Sequence, residues 1–496
     1  MLLPAVIACK KDPEADGETT DSDTAVTETE TEDPLAKYNV SDDIGNRDFG
    51  GKVITVATSD YENFIEEINS EGFTGETVND AIYARNMTVQ QRLNVELKQK
   101  TVSTGGLDTY HIGQYVKTQM QSGLHEYDLA LASTYSNIIR TMDNCWVDLR
   151  TLPNIDLSKS YWSQHYNEQI SVGDSQYMAS GYVSLSFYRK TFVTLMNETM
   201  LNSVSGAPDI LKDIEDGKWT IEYQKQLAKG YYQDTNGNGK DANDVFGFVA
   251  EPYNSVDGYW SSCQMKMIGK DRDNYYEYAL DVDRVHGVVD AVLSFYQSEG
   301  AWVSSDIKWG DGTVEKFVSK KALMITSTLE SVESEKMRGM KDVYLILPIA
   351  RYTDNQDGYY SYLHDTFLSY AIPNTKITES HLDEVSAVLE VMASESYRTV
   401  APAYYELALK TKYVPDGKTV QLLDSIIANA YVDPGEVYTI VLGSSPLHMF
   451  RDIFKSAIDN GTGNTVSSTF SAEAAGKIKN SVNVINMQIK NLKYNG

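Results

Sequence analysis

Lys52-Val53-Ile54-Thr55-Val56-Ala57-Thr58 begins the pattern from which the fold class can be predicted. It follows Gly50-Gly51 and is rich in β-branched residues, a composition that predicts a buried β-strand. The hydrophobic pattern then alternates between helical and extended spacing, with a helix, a strand, a helix and a strand over 78–93, 94–98, 110–122 and 127–132. This alternation predicts an α/β lobe with a largely parallel sheet.

Polar loops are predicted directly after the first and the third of these strands. Ser59-Asp60-Tyr61 follows the first strand, and Ser133-Thr134-Tyr135 follows the third. In open parallel sheets, ligands bind outside the carboxyl ends of the strands. Asp60, Tyr61 and Tyr135 are therefore candidate ligand-binding residues.

The rest of the chain keeps this mixed α/β character. Thr220 is placed to cap a helix that runs to about Tyr232. Helices dominate from Leu382, and further strands are predicted over 245–249, 322–326, 343–347 and 367–372. Because 496 residues exceed one typical domain, two lobes or more are expected.

Charge and the length of the apolar runs argue against two classes, nucleic-acid-binding proteins and proteins with a membrane-spanning helix. The net charge is −27 and Lys and Arg form no cluster, whereas nucleic-acid binding needs basic patches. The longest apolar runs, such as Val343–Ala350, are far shorter than the ~20 residues that span a bilayer. Tyr is frequent, with 34 residues against 13 Phe, and a flat ring with a polar tip suits polyhydroxylated ligands.

The first residues look like an export signal. Val6-Ile7-Ala8-Cys9 resembles a bacterial lipobox, which implies a lipid on Cys9 and a location on the extracellular face of the cell membrane. Residues 1–8 are then a remnant of the signal peptide, and we expect the true start upstream because no basic residue precedes the apolar run. Residues 9–47 are predicted to be a disordered acidic tether, with an acidic interaction tail as the alternative.

The other two cysteines are Cys145 and Cys263. They could form a disulfide or stay reduced, and their spacing indicates no disulfide scaffold. We expect two buried free thiols.

Several stretches resemble the extracellular solute-binding proteins of bacterial ABC importers. The resemblance extends from about Lys52 to the C-terminus, and its most specific stretch is Ser394–Arg398 with Pro402–Glu406, which is similar to carbohydrate-type lipoproteins. The other matching stretches are Glu76–Asn86, Gly217–Thr220 and Tyr231–Phe248.

The resemblance implies a two-lobed periplasmic-binding-protein-like clamp of the maltose-binding type, with hinge strands and a helical C-terminal region. The first α/β lobe is expected over 48–182 with about 368–420. The second is expected over 186–366 with about 425–496, which includes the C-terminal helices. Tyr182–Ser186 and Phe367–Ala371 would be the two crossovers between the lobes.

The resemblance also extends the candidate ligand site. Glu251-Pro252-Tyr253 with Tyr259-Trp260 looks like a loop that faces the ligand in maltose-type binders. Sugars present apolar C–H faces and polar edges, so aromatic rings would stack on them while polar side chains bind their hydroxyls. The predicted ligand-binding set is Asp60, Tyr61, Tyr135, Tyr253, Tyr259, Trp260, Ser327, Tyr362, His364 and Asp365.

A second motif points to a structural Ca²⁺ ion. Asp234-x-Asn236-x-Asn238-Gly239 matches the start of an EF-hand-type loop, whose alternate oxygen ligands wrap a hard cation. The Lys240 carbonyl would be the next ligand and Asp244 the last, although Asp244 stands at the eleventh position of the loop instead of the twelfth. The alternative is a metal-free loop rich in Gly and Asn.

Three functions remain compatible with the sequence. The first is a monomeric binding protein that captures a carbohydrate and delivers it to an ABC permease, without catalysis. The second is a secreted glycosidase and the third a surface adhesin. The chain lacks the Gly-x-Ser-x-Gly, His-Glu-x-x-His and phosphate-loop motifs of common enzymes, which favours the binding protein.

Overall fold

The computed structural model describes residues 36–60, 67–68, 72–103, 111–375, 378–409, 417–443 and 445–495. From Tyr38 onward the chain forms one compact body. Cys9 and Tyr61, two of the residues singled out above, lie outside the described residues. No helix among the described residues is both long enough and apolar enough to cross a membrane.

The strands of the described chain build two main sheets. The strands are β1 (Lys52–Ser59), β2 (Val95–Val102), β3 (Leu129–Ser133), β4 (Phe192–Asn197), β5 (Phe246–Ala250), β6 (Ile268–Lys270), β7 (Tyr276–Tyr278), β8 (Ala301–Val303), β9 (Ala322–Thr328), β10 (Tyr344–Leu347), β11 (Ser361–Tyr362), β12 (Leu368–Ala371) and β13 (Ala430–Tyr431). The first sheet has the order β12-β3-β1-β2 and the second has the order β10-β4-β9-β5-β8, while β6 pairs with β7 and β11 pairs with β13.

Helices surround both sheets and make up most of the C-terminal part. Ser396–Val400 is a π-helical turn between the helices Glu379–Glu395 and Ala401–Leu409. The α-helices are α1 (Thr77–Leu93), α2 (His111–Ser122), α3 (Thr134–Thr141), α4 (Gln164–Ile170), α5 (Leu185–Arg189), α6 (Glu198–Leu201), α7 (Ile210–Glu215), α8 (Ile221–Gly230), α9 (Asp257–Ser262), α10 (Val282–Tyr296), α11 (Asp311–Val318), α12 (Glu335–Gly339), α13 (Glu379–Glu395), α14 (Ala401–Leu409), α15 (Gly417–Ala428), α16 (Pro434–Val437), α17 (Thr439–Leu442), α18 (Pro446–Asn460), α19 (Val466–Thr469) and α20 (Ala472–Asn495).

The first sheet confirms the predicted strand and helix alternation. β1 pairs in parallel with β2 and with β3, and α1 and α2 are the crossover helices between them. α1 buries Val78, Ile82, Val89 and Leu93, the positions that helical spacing places on one face. β12, from far along the chain, joins the free edge of β3 in antiparallel register, with Leu368 opposite Ser133.

The second sheet is mixed. β5 is parallel to β8 and β9, whereas β4 is antiparallel to β9 and β10 is antiparallel to β4. Its strands all come from residues 192–347, between the two visits of the chain to the first sheet. The molecule therefore has two α/β lobes, each organised around its own sheet.

The two segments that join the lobes are hydrogen-bonded to each other. The Leu368 N–H donates to Ser186 Oγ at 2.9 Å, and Ser180 Oγ donates to the Leu368 carbonyl at 2.7 Å. The buried Glu67 carboxylate accepts from the N–H groups of Leu185 and Ser186, both at 2.5 Å, at the start of α5. Helix α5 begins inside the predicted crossover Tyr182–Ser186.

A cluster of tyrosine rings packs around the first of these segments. Tyr182 lies 5.5 Å from Tyr188 and 4.6 Å from Tyr397, measured between ring centroids. Tyr404 lies 5.0 Å from Tyr188 on the same side. The stretch 394–406, which carries the most specific family resemblance, is thus the layer that packs against the joint between the lobes.

The predicted tether is wrong for its last residues. Tyr38 is buried, and its ring lies 5.0 Å from Tyr397. Asp42 is also buried and accepts from both terminal nitrogens of Arg92 at 2.8 and 2.9 Å. The packed Tyr38 ring and the paired Asp42 carboxylate contribute enough interactions for residues 38–47 to order as part of the body.

The two thiols are confirmed as buried and free. Cys145 and Cys263 are not bonded to each other, and burial raises the pKa of each thiol to about 12. Both therefore stay protonated and act as small apolar groups in the core.

Candidate ligand-binding site

The site is built where strands of the second sheet end. Thr328 closes β9, and Phe192, which opens the antiparallel strand β4, lies opposite it in the register. β5 ends at Ala250 and is followed directly by Glu251-Pro252-Tyr253. Since β5 and β9 run in parallel, these residues share one edge of the sheet, the edge at which α/β folds bind ligands.

A buried ion pair lies next to this edge. Arg451 of α18 contacts Asp257 of α9 through two hydrogen bonds, with Nε donating to Oδ1 at 2.7 Å and Nη2 donating to Oδ2. The Asp257 side chain is fully buried and the Arg451 side chain is 5% exposed. Burial disfavours the Arg451 charge, but Asp257 outweighs it and raises the pKa of the guanidinium further above its ordinary value.

Other titratable groups gather around this pair in what we call the polar cluster. Asp365 Oδ1 contacts His364 Nδ1 at 2.8 Å. Burial opposes the charge of Asp365, yet His364 and then Arg451 lower the pKa of its carboxyl well below the usual range. The polar cluster consists of Tyr253, Asp257, Tyr362, His364, Asp365, Glu436, His448 and Arg451.

Glu436 of α16 is a second buried acid of the cluster. Its carboxylate accepts from Ser445 Oγ at 3.0 Å and from the Leu447 N–H at 2.6 Å, at the N-terminus of α18. Burial raises the pKa of Glu436 to about 8, and these donors offset only part of the effect. The side chain therefore holds a proton over much of the physiological range.

Aromatic rings form the accessible side of the site. Phe192 stacks on His364 at 6.1 Å with an interplanar angle of 4°, and on Trp309 at 5.5 Å and 21°. Tyr253 stacks on the exposed His448 at 6.4 Å and 28°. Trp309, Tyr253 and His364 are each half-buried, so they combine a fixed ring with an accessible surface.

The Tyr362 hydroxyl is a polar group of the cluster without a hydrogen-bond partner among the described residues. The Tyr362 side chain is buried, and its hydroxyl makes no hydrogen bond to any described residue. A buried hydroxyl that is not hydrogen-bonded costs free energy, and this one is enclosed among the charged groups of the cluster.

The structure brings four of the predicted ligand residues together: Tyr253, Tyr362, His364 and Asp365. Ser327 is buried in β9, next to the strand end and opposite Val193. Asp60 is half-buried just after β1. Tyr135 is half-buried and lies in the first turn of α3, not in a loop, because Ser133 caps that helix by accepting from the Ser136 N–H.

Tyr259 and Trp260 are core residues in this conformation, which corrects their assignment to a ligand-facing loop. Both are buried, since their segment forms helix α9 and turns the rings inward. Tyr259 donates to Gln224 Oε1 at 3.2 Å, and Trp260 Nε1 donates to Asp433 Oδ2 at 2.9 Å. With their polar atoms already bonded inside the protein, neither ring is available for stacking on a ligand.

The sequence analysis missed other members of the site. Trp309 follows β8, a strand of three residues that is too short to recognise from periodicity, yet the strand-end rule applies to it. Asp257 opens α9 in the segment that the prediction treated as a loop. Glu436 and Arg451 come from the C-terminal helices, where no motif marks them.

The predicted Ca²⁺ loop is closed by its own hydrogen bonds. Asp234 Oδ1 accepts from the Gly237 N–H at 2.6 Å and Oδ2 accepts from the Gly239 N–H at 2.9 Å. The side-chain amides of Asn236 and Asn238 donate to Asp241 Oδ2 at 3.1 and 2.9 Å. Asp234, Asn236, Asn238 and Asp241 thus surround one turn, and the two amides direct their nitrogens at Asp241.

Asp244 does not join them. It is buried and accepts from the Thr235 N–H at 2.9 Å, from the Asp241 N–H at 3.0 Å and from the Tyr232 hydroxyl at 3.2 Å. The Lys240 side chain points away, since its Nζ donates to the Ser298 carbonyl at 2.7 Å. Asp244 therefore anchors the loop, and Asp241 takes its place as the acidic residue of the turn.

A separate groove lies between α4 and the start of α10. Its volume is about 480 Å³, within the usual size range of small-molecule pockets. His165 and Tyr360 pack edge to face in its wall at 5.7 Å, and Arg284 and Tyr431 also line it. The groove is a second place where a ligand could be held, and it shares no residue with the polar cluster.

The raised pKa of Glu436 predicts a pH dependence of stability. A folded-state value near 8 against an ordinary value near 4.5 means that the folded protein retains the proton. The stability from this group is complete below about pH 4.5 and is lost as the pH rises through 8, by roughly 1.4 kcal/mol for each pKa unit. The free energy of unfolding should therefore fall between pH 5 and 8, and E436Q should flatten that fall.

Urea unfolding of both proteins at pH 5, 6, 7 and 8 measures this difference. The matched control is E96Q, which alters an exposed carboxylate on β2 and should keep the slope of the unmodified protein. An E436Q slope equal to that of E96Q would show that Glu436 does not hold a proton in the folded state.

Comparison with known proteins identifies solved structures that share the fold of this chain. No family model matches the chain, and no curated protein is similar to it in sequence. Among solved structures, the sugar-binding protein MalE from Xanthomonas citri is similar with a TM-score of 0.56 at 9% identity, covering 89% of this chain and 98% of that one.

Two further structures support the same assignment. UspC from M. tuberculosis matches with a TM-score of 0.54 at 14% identity, over 86% of this chain and all of the other, 100%. The GacH receptor of Streptomyces glaucescens, solved unliganded and with acarbose, matches with a TM-score of 0.50 at 13% identity, over 89% and 99% of the two chains. The chain therefore shares the fold of these three proteins.

Proposed function

We propose that the protein is a non-catalytic binding protein that captures an extracellular carbohydrate and delivers it to the permease of an ABC importer. The observation that carries the proposal is the position of the half-buried rings Trp309, Tyr253 and His364, at a strand end and beside the Asp257–Arg451 pair. The fold supports the proposal because MalE is a sugar-binding protein and the GacH receptor was solved with acarbose.

The chemistry of the site suits a sugar. Trp309 is backed by Phe192, so one ring face is fixed while the half-buried side chain keeps an accessible surface for a pyranose. Asp365 carries a charge at physiological pH, and a carboxylate is a strong acceptor for sugar hydroxyls.

The carboxylates of the cluster favour binding over hydrolysis. A glycosidase needs one acid and one base that are both directed at the substrate. Asp257 is held by Arg451 through two hydrogen bonds, and Glu436 is held by Ser445 and the Leu447 N–H. Two of the three carboxylates are thus committed to protein partners, and Asp365 is left without the second carboxyl group that hydrolysis needs, which supports a site that recognises a ligand without cleaving it.

Capture would use a hinge motion of the two lobes. The joining segments lie side by side through the Leu368–Ser186 hydrogen bond, so they can act as a single hinge. The chain would work as a monomer, because one body contains both lobes and both crossings. Closure around the ligand would then present the loaded form to the permease.

A lipid on Cys9 would hold the protein at the extracellular face of the membrane. The support is the lipobox-like Val6-Ile7-Ala8-Cys9, followed by an acidic stretch and a body that begins near residue 38. A tether of this length keeps the binding lobes close to the permease and raises their local concentration there.

A structural Ca²⁺ ion in the loop 234–241 is the last part of the proposal. Asp234 and Asp241 supply carboxylates, and rotation of the Asn236 and Asn238 amides would present their oxygens instead of their nitrogens. Two of the four side chains are neutral, so the affinity should be low.

Carbohydrate binding can be tested by a thermal-shift screen of mono- and oligosaccharides, followed by calorimetry on each sugar that stabilises the protein. W309A should weaken binding about tenfold, the equivalent of roughly 1.4 kcal/mol, because the sugar loses its stacking surface. D365N should weaken it as well, since it removes the charged acceptor.

Two controls separate the possible sites. W302A removes an aromatic ring of β8 that packs on Phe246, and it should leave affinity unchanged. Y360A alters the separate groove. Loss of binding in Y360A with full binding in W309A would move the ligand to that groove, and release of shorter sugars from an oligosaccharide would contradict the non-catalytic assignment.

For the loop, calorimetry with CaCl₂ should detect one weak site at millimolar concentration. D234N should reduce the heat of binding because it removes a charge that the cation needs, whereas D244N should act mainly on stability, since Asp244 anchors the loop from inside. Absence of any Ca²⁺ binding by the unmodified protein would contradict the proposal.

For the anchor, the full chain expressed in bacteria with a lipoprotein signal should fractionate with membranes. C9S should appear in the soluble fraction, because no other cysteine lies near that end to accept a lipid. C263S, which alters a buried thiol, is the matched control. Membrane association of C9S would rule out Cys9 as the attachment point.

A further inference from the structure

Two histidines and an aspartate meet at the edge of the first sheet where β3 begins. Asp128 directly precedes β3, His125 lies three residues earlier, and His381 lies in the first turn of α13. The Nε2 atoms of His125 and His381 lie 2.9 and 2.6 Å from the same oxygen, Asp128 Oδ1. One ligand atom from each residue lies within 4.8 Å of the other two.

Each of the three side chains is also hydrogen-bonded to a further residue. Asp128 Oδ2 accepts from the Thr55 N–H of β1 at 2.7 Å. The Nδ1 atom of His381 lies 3.1 Å from Glu384 Oε2, and that of His125 lies 2.6 Å from Thr375 Oγ1. Partners on the far ring nitrogen fix the orientation and tautomer of a histidine, as the outer partners of metal-binding histidines do.

The cluster is also accessible. The two rings are nearly perpendicular, with an interplanar angle of 81° and centroids 5.5 Å apart. The side chains of His125 and His381 are 36% and 21% exposed, whereas Asp128 is 8% exposed. The ring nitrogens therefore converge on a fixed carboxylate at a place that a solvated ion can reach.

We propose that His125 Nε2, His381 Nε2 and Asp128 Oδ1 form a binding site for a divalent transition metal, Zn²⁺ in the first place. Two imidazoles and one carboxylate are a ligand set that Zn²⁺ accepts, and a water molecule would complete the tetrahedron. On binding, each Nε2 offers its lone pair to the metal in place of the hydrogen bond to Asp128.

The proposed metal site lies at the start of β3, at the end of the first sheet opposite the edge where its strands finish. Asp128 and Ser133 lie at opposite ends of β3, and five residues at about 3.3 Å each span about 16 Å. His381 belongs to the helix that follows β12, while Asp128 is tied to β1 and β3. The metal would thus fasten α13 onto the first sheet and stabilise that lobe.

The surrounding charges are compatible with this role. Lys52 Nζ lies 2.5 Å from Glu384 Oε1, so this neighbouring cation is already paired with a carboxylate. Glu384 remains in contact with His381 through its other oxygen. Asp128 and Glu384 together supply two negative charges around a divalent ion.

Calorimetry with ZnCl₂ on the EDTA-treated full chain tests the proposal. The unmodified protein should bind one equivalent, and Zn²⁺ should raise its melting temperature by a few degrees. H125Q and H381Q should each abolish that binding, because glutamine retains a hydrogen-bond donor for Asp128 but is a poor zinc ligand. Bound Co²⁺ should show visible absorption bands of a low-coordinate site in the unmodified protein and lose them in both variants.

H286Q is the matched control. His286 also faces a carboxylate, with its Nδ1 3.3 Å from Asp290 Oδ2, but this pair is isolated and exposed. D234N controls for binding to the loop 234–241. Zn²⁺ binding that is absent from the unmodified protein, that persists in H125Q, or that is lost in H286Q or D234N overturns the proposal. Circular dichroism verifies folding, and H125Q decides the result if H381Q does not fold.

Discussion

The antiparallel pairing of β12 with β3 is the constraint on which the rest of the structure depends. Leu368–Ala371 must hydrogen-bond to the free edge of a strand that the chain completed at Ser133. Everything between these strands has to leave the first sheet and return to the same place, so the second sheet becomes an inserted lobe. The two crossings then lie side by side, and the Leu368–Ser186 hydrogen bond joins them into one connection. The tyrosines around Tyr182 and Tyr397 cover this connection, because the chain after β12 returns over it.

The same constraint explains how the candidate site is assembled. Tyr253 follows the end of β5, and Phe192 lies opposite the end of β9. The segment that leads into β12 supplies His364 and Asp365. The C-terminal helices then add Arg451 and its neighbours. A buried charged pair is tolerated when its partners make good hydrogen bonds to each other, and Asp257 and Arg451 do so through two contacts. The aromatic rings on the outer side are left to define the shape that a ligand meets.

The mistaken assignments share one physical cause. Tyr259 and Trp260 have the composition of a ligand-facing loop, but the polar partners of their rings, Gln224 and Asp433, are distant in sequence and turn them inward. Asp244 has the charge of a calcium ligand, but buried backbone donors claim it first. Tyr38 lies in an acidic region, yet a ring from the far end of the chain buries it. Local pattern shows what a side chain can do, and packing decides which of its options is used.

Hydrophobic period predicted the alternation of strands and helices in the first lobe, and chain length predicted two lobes or more. Composition favoured buried free thiols over a disulfide, and the resemblance to solute-binding proteins implied the two-lobed clamp and singled out residues 394–406. Period and composition act over short stretches of chain, so they could be recognised without the fold. Only the tertiary structure decided which aromatic rings reach the strand-end edge, that Arg451 partners Asp257, and that His125 and His381 share Asp128. Such contacts join residues far apart in sequence, and no local pattern encodes the distance between two side chains that only the completed fold brings together.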